Sequence, residues 1–309
     1  MTEMTWPRHL KDANGPMRAD KLAGAAIGMG DWGRESRALA SEGWVPADMM
    51  TGLTLFVLGH QPKGKSKQAI PGAGGGVAGG VWVRERFTIV RPLKVDEVFV
   101  VKGESVGKHV HKGRRYGTNQ CETFNLAGES VARNLTTGLL AYKVEPGLED
   151  ELIGSDPNKI ETPGPDHSVA QNNPCLEQLA QLKVGQTFDE KEITVSLAMM
   201  AARDTKKPDN PIHSDPELAR KAGLSKPIAG GSHVLSFPLE VIMQHAGRYS
   251  LFHGASFDIR WKAPVYADLV VHTKAEVVTA TETEVVFEIE VKLESGATAM
   301  VGRVTVPLK

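Results

Sequence analysis

The 309-residue sequence predicts an α+β protein made of two tandem copies of one unit. Three observations carry this. First, the block Phe87-x-Ile89, Pro92-Leu93, Asp96 and Val98-Phe99-Val100-Val101 recurs, with nearly the same spacing, as Phe257-x-Ile259, Pro264-Val265, Asp268 and Leu269-Val270-Val271. Second, each block runs on into long stretches that alternate apolar and polar residues, the period of strands with one buried face. Third, each block is preceded by an apolar stripe at helical spacing.

In chain order, residues 47–58 form the first helical candidate, with Met49, Met50, Leu53, Phe56 and Val57 on its stripe. Strands are expected over 117–126 and 131–142, on either side of a turn at Gly128. The stretch from about 145 to 173 is rich in Pro, Gly, Asp and Asn without apolar periodicity and reads as a linker. It divides the chain into an N-terminal unit 1–147, a linker 148–173 and a C-terminal unit 174–309. The second helical candidate, residues 231–244, carries Val234, Leu235, Phe237, Leu239 and Val241. Strands over 284–293 and 297–306 follow, with Gly296 at the turn. Helix then antiparallel sheet, stated twice, is an α+β pattern.

Composition narrows the function classes. Thirty-six basic and thirty-seven acidic residues leave a net charge of −1, without the bias that nucleic acid or an anionic membrane would demand. The two cysteines, Cys121 and Cys175, show neither metal-ligand spacing nor a disulfide framework, as expected in a reducing compartment. The start of the chain lacks the apolar core of a signal peptide, and no stretch reaches the ~18 apolar residues of a membrane span. A cytoplasmic protein is expected.

Chemistry concentrates in Asp209-Asn210-Pro211-Ile212-His213 and, shortly after, Pro227-Ile228-Ala229-Gly230-Gly231. Proline lacks the N–H that a helix needs and restricts the residue before it, so the Asn-Pro pair sets a tight bend carrying an acid and a histidine. Gly230 and Gly231 open the second helical candidate, whose first N–H groups can face a developing negative charge. Asp215 suits the cap of a short helix over 216–222.

The series Asn210-Pro211-Ile212-His213, Asp215, Ala219, Gly223-Leu224, Pro227-Ile228 and Gly231 resembles the hydratase signature of MaoC-like dehydratases, among them the (R)-specific enoyl-CoA hydratases. The resemblance implies a double hotdog, in which each sheet wraps a central helix and the tandem copies pack as a pseudo-dimer. It also implies hydration of an enoyl-CoA by an Asp/His pair, with Gly230, Gly231 and Asn210 around the substrate. Coenzyme A would enter only as part of that acyl-CoA thioester, without a separate cofactor or metal, in fatty acid metabolism and in a homodimer. The family places its aspartate two residues before the asparagine, and here Pro208 stands there. Asp209, one residue closer to His213, and Asp204, in the A-x-R-D variant Ala202-Arg203-Asp204, are the two candidates. Only the second copy carries the signature, so one active site per chain is expected; in tandem members the first copy makes room for the acyl chain. A hotdog thioesterase and a non-catalytic acyl-thioester-binding subunit are the alternatives.

Other motifs compete. Gly59-His60-Gln61-Pro62-Lys63-Gly64-Lys65-Ser66 fits the phosphate-binding loop letter for letter, but the residues after it are poor helix formers, and the loop needs a helix start to hold phosphates. Gly74-x-Gly76-x-x-Gly79 matches the dinucleotide fingerprint, yet a strand-like Val81-Trp82-Val83 follows. The basic run Lys108, His109, His111, Lys112, Arg114, Arg115 with Tyr116 reads as a solvated hairpin tip, and no nucleic-acid partner is expected. His213, His233, His245 and His253 match no metal-ligand spacing. Millimolar Mg-ATP should therefore leave the melting temperature unchanged, whereas coenzyme A or an acyl thioester should raise it; a ligand at 100 times its Kd adds about 2.7 kcal/mol. A nucleotide-dependent rise in a thermal-shift measurement would restore the phosphate-loop reading.

Overall fold

In the computed structural model, which describes residues 7–54, 81–140, 144, 146–204 and 211–309, the alternating segments join one antiparallel sheet of twelve strands. The first copy and the stretch after it supply β1 (Arg8–His9), β2 (Ala13–Pro16), β3 (Val81–Ile89), β4 (Val98–His111), β5 (Arg114–Asn125), β6 (Ser130–Leu139) and β7 (Glu151–Gly154). The second supplies β8 (Thr187–Val195), β9 (Ala255–Trp261), β10 (Leu269–Ala280), β11 (Glu284–Leu293) and β12 (Thr298–Pro307). The main path runs β1-β4-β5-β6-β3-β9-β12-β11-β10-β8, with β2 and β7 also on β4. Residues 148–173, read as linker, thus contain a strand. They also contain a 3-10 turn at His167–Asn172.

The two copies meet edge to edge through β3 and β9. Phe87 opposes Phe257, Glu85 opposes Ile259 and Ile89 opposes Ala255. Phe87 and Phe257, counterparts in the sequence repeat, stack in parallel with ring centroids 4.2 Å apart. A residue facing its own counterpart is what a two-fold relation between the copies requires. The turns agree as well. Asp96 and Asp268 both take left-handed backbone, φ 61° and 67°. Val45 donates to the Leu93 carbonyl at 2.9 Å as Ala229 does to Val265 at 2.8 Å. This is the expected double hotdog.

Among the described residues the α-helices are α1 (Ala19–Gly28), α2 (Arg34–Ser41), α3 (Leu176–Ala180), α4 (Leu197–Asp204), α5 (Pro216–Lys221) and α6 (Gly231–Ala246). The helix expected over 231–244 is α6, buried on nearly every side at the centre of the second copy. The helix expected over 47–58 is described only as far as Thr54. Ala47–Gly52 is a 3-10 turn leading into Leu53 and Thr54; Thr51 turns its hydroxyl back to the Asp48 carbonyl at 2.6 Å. Its remaining residues, the phosphate-loop match at 59–66 and the glycine fingerprint at 74–79 lie outside the described residues. The basic run is the β4–β5 hairpin, closed by Lys112 and Gly113 in left-handed backbone. Its tip is tied down: Asp150 accepts from the Lys112 amide and pairs with His111, both at 2.9 Å. Among the described residues, no helix is long and apolar enough to cross a membrane.

Two buried acids shape the interior. Glu240, mid-way along α6, accepts from the Glu35 amide at 2.6 Å, the Ser36 amide at 2.9 Å and the Ser36 hydroxyl at 2.7 Å. Those amides belong to the first turn of α2, so a carboxylate of the second copy caps a helix of the first. Glu85 on β3 is 0% exposed and accepts from Asn134 at 2.9 Å and Thr136 at 3.3 Å. Burial pushes its carboxyl from an ordinary value of 4.5 up to about 8, outweighing those two bonds.

The folded protein thus keeps on Glu85 a proton that the unfolded chain releases near 4.5. Its contribution to stability is complete below that value and is lost as pH climbs toward 8. Denaturant titrations at successive pH values should show Glu85→Gln losing less stability than wild type over that window, by up to roughly 4 kcal/mol. Identical pH profiles would remove the buried proton from Glu85.

Candidate functional site

The histidine bend is built as a closed clasp. Pro211–His213 forms a 3-10 turn, and Asp215 then caps α5 by accepting from the Glu217 amide at 2.8 Å and the Leu218 amide at 3.0 Å. Pro216 sits at the first helical position, where its missing N–H costs nothing. Gly223, at φ 87°, ends the helix: its N–H returns to Arg220, and that of Leu224 returns to Ala219, both at 3.0 Å. This pair of bonds is a Schellman stop, which explains the A-x-x-x-G-L spacing. Ala219, Leu224, Ile212 and Ile228 pack into a small apolar cluster of their own. The chain then passes Ile228, bridged to Tyr266, and reaches Gly230 and α6.

The clasp orients the histidine. His213 Nδ1 lies 2.7 Å from the Ile228 carbonyl. A carbonyl only accepts, so Nδ1 carries the proton and the neutral ring keeps its lone pair on Nε2. Nε2 faces the helix start, 3.8 Å from where a Cβ on Gly230 would stand.

That helix start is crowded by aromatic rings. A Cβ on Gly231 would come within 3.1 Å of the Trp261 ring and 3.2 Å of the Trp82 ring, so a side chain there displaces one of them. Trp261 donates from Nε1 to the Gly231 carbonyl at 3.1 Å, and the two indoles sit 5.9 Å apart. The His233 and Val234 amides turn inward to the Gly230 carbonyl at 2.9 and 3.1 Å. Gly231 and Ser232 precede them, and the amides of a first turn lack an acceptor within their own helix. Half-buried beside two indoles, at the positive end of α6, they suit a developing oxyanion.

The structure thus brings together His213, Gly230 and Gly231. Asp209 and Asn210 lie outside the described residues, and Asp204 is the last residue of α4. Its neighbour Arg203 forms an ion pair with buried Asp48. Asp215 is the helix cap its position suggested. His233 and His245 serve packing. His233 bonds from Nε2 to the Gly28 carbonyl at 2.8 Å, and burial drives its pKa down to about 3, with the nearby Arg203 charge acting in the same direction. His245 stacks on Phe188 with centroids 4.3 Å apart. Among the described residues, no three acidic, histidine or cysteine side chains form a metal-sized group.

The first copy repeats the order of elements without the chemistry. Its 3-10 turn Gly30–Trp32 ends in Trp32 where the second copy has His213, and Pro46 holds the helix-entry position of Gly230 with matching angles, φ −59° and ψ 150° against −62° and 149°. Sequence reasoning missed Trp82 and Trp261. Their only sequence signal was lying on the strands that carry Phe87 and Phe257, which says nothing of their meeting Gly231.

Comparison with known proteins bears on this geometry. Residues 180–299 match the family described as MaoC like domain. No curated protein sequence matches the chain. A solved MaoC-like dehydratase superposes with a TM-score of 0.69 at 15% identity, covering 97% of this chain and 98% of its own. A MaoC-like dehydratase from Phytophthora capsici gives 0.63 at 16%, covering 98% and 95%. A conserved hypothetical protein from Mycobacterium tuberculosis, described as a double hotdog, gives 0.60 at 11%, covering 99% and 97%. At such identities the likeness establishes the fold over the whole chain.

The clasp has a spectroscopic signature. Nitrogen-15 NMR of the neutral protein should find His213 in the Nδ1–H tautomer, the minor one for free imidazole in water. An Nε2–H assignment would mean that the Ile228 bond is not made in solution.

Proposed function

Since residues 180–299 of this chain form a MaoC-like domain within a double hotdog, we propose that the protein catalyses the reversible hydration of a trans-2-enoyl-CoA thioester to a 3-hydroxyacyl thioester. One observation carries the reading: His213, its Nδ1 held by Ile228, turns Nε2 toward the amide-bearing start of α6. A water held by the aspartate and His213 attacks C3 as the pair takes one of its protons. The C2=C3 electrons move onto the thioester oxygen, and the enolate collapses by taking a proton at C2. The Gly231 N–H meets the enolate oxygen, a contribution of roughly 2.7–4 kcal/mol for a well-placed donor. Acid-base transfer adds typically ~10²–10⁴-fold. The proposal takes the (R) configuration, a homodimer and a place in fatty acid metabolism from the family resemblance, and a cytoplasmic location from the sequence expectation. The scheme uses the residues of this chain and coenzyme A as part of the substrate.

Loss of the enoyl absorbance in a panel of enoyl-CoA thioesters reads hydration, and released thiol reads a thioesterase. His213→Ala should lower kcat by at least ~10²-fold with the melting curve preserved. Of Asp209→Asn and Asp204→Asn, one should be severely impaired and the other close to wild type. Full turnover in His213→Ala, or in both aspartate variants, would sink the mechanism and favour a binding role.

A further inference from the structure

Strand register lets the concave faces of the two copies be compared position by position. In the first, Phe87 opposes Asn134, which opposes Cys121; in the second, Phe257 opposes Val304, which opposes Phe287. One pair further along the ladders, Thr123 opposes Ala132 as Ile289 opposes Gly302. By the same register, Glu85 and Thr136 stand where the second copy has Ala255 and Val306. The second copy lines this face with apolar side chains around α6. The first places Glu85, Thr123, Asn134 and Thr136 there, each at most 2% exposed.

Their hydrogen bonding is incomplete. Asn134 directs its amide hydrogens at the Glu85 Oε1, 2.9 Å away, and the Met50 carbonyl, 3.4 Å away; Thr136 donates to the same Oε1 at 3.3 Å. Among the described residues, Glu85 Oε2, Asn134 Oδ1 and Thr123 Oγ1 are buried and meet no partner. A core that needed only filling would not bury such groups, because each gives up water for nothing. The proton that burial keeps on Glu85 belongs on Oε2, since Oε1 already accepts two bonds. Glu85 and Asn134, joined by a 2.9 Å bond, therefore present an O–H donor beside a carbonyl acceptor. A ligand hydroxyl, which donates and accepts at once, complements that set.

The set lies beside the candidate site. Trp82, which walls Gly231, pairs with Gly138, two residues along β6 from the Thr136 that pairs with Glu85. At a strand rise of about 3.3 Å per residue, Glu85 stands roughly 7–10 Å beyond Trp82. An acyl chain with its thioester at Gly231 spans that distance.

We propose that Glu85 and Asn134 make the first copy a specificity pocket for an acyl thioester whose chain carries a hydroxyl group. This rests on the acyl-thioester reading above. The test is equilibrium binding, by calorimetry on the full chain, of saturated medium-chain acyl-CoAs with and without a terminal hydroxyl. Wild type should bind the hydroxylated chain roughly tenfold or more tightly, because a site built around a hydroxyl rejects the analogue that lacks it. Glu85→Leu should bring the two within about twofold. Asn134→Leu, a near-isosteric change, should narrow the gap and keeps the test decisive if Glu85→Leu does not fold. Equal binding of the two chains by wild type, or tighter binding of the plain one, would overturn the pocket alone. Failure to bind any acyl-CoA would overturn the thioester reading together with it, and crotonyl-CoA turnover run in parallel reads the hydratase chemistry separately.

Discussion

The β3–β9 pairing is the constraint on which the rest of the molecule depends. It fuses two sheets into one, stacks Phe87 on Phe257, and joins the copies through the bidentate bond of Arg84 to Asp258 at 2.9 and 2.7 Å. Burial works to raise the Asp258 carboxyl, and the bonds and charge of Arg84 outweigh it, holding the group below its ordinary range. At the end of the same ladder, Trp82 from one copy and Trp261 from the other close on Gly231. The candidate site is therefore a property of the fused pair: the second copy supplies histidine and helix, and the first supplies one wall.

The copies depend on each other in a second way. Glu240 on α6 satisfies the first-turn amides of α2, and Arg248, just beyond α6, reaches Glu35 at 2.8 Å and Glu42 at 2.6 Å. Removing a buried carboxylate that satisfies several amides costs more than removing a surface pair, because the amides remain buried. The central helix thus holds two things at once, the candidate-site amides at its start and the packing of the opposite copy along its middle.

Divergence between the copies divides the labour. In the second, a clasp closed by the Asp215 cap and the Gly223 stop presents His213 to the start of a long apolar helix. In the first, Trp32 and Pro46 occupy the corresponding places, so neither the histidine nor the glycine is present there. The concave face behind them has exchanged apolar residues for Glu85, Asn134 and Thr136.

Much was legible in the sequence alone because it is local. Alternation gives strands, a stripe gives a helix, and the A-x-x-x-G-L spacing gives a helix stop, since each depends on residues a few positions apart whose backbone bonds close on themselves. The tandem repeat made the pseudo-dimer readable, and the signature around Asn210 to Gly231 made His213 and Gly231 readable. At the start of the helix expected over 47–58, the hydrophobic stripe does not distinguish the 3-10 turn Ala47–Gly52 from an α-helical one. What only the tertiary structure decided is long-range: Trp82 against Gly231, Glu240 on α2, and a carboxyl at Glu85 facing Asn134 and Thr136. Those meetings are set by strand register and by which edges pair, and spacing along a chain does not encode the register between strands far apart in it.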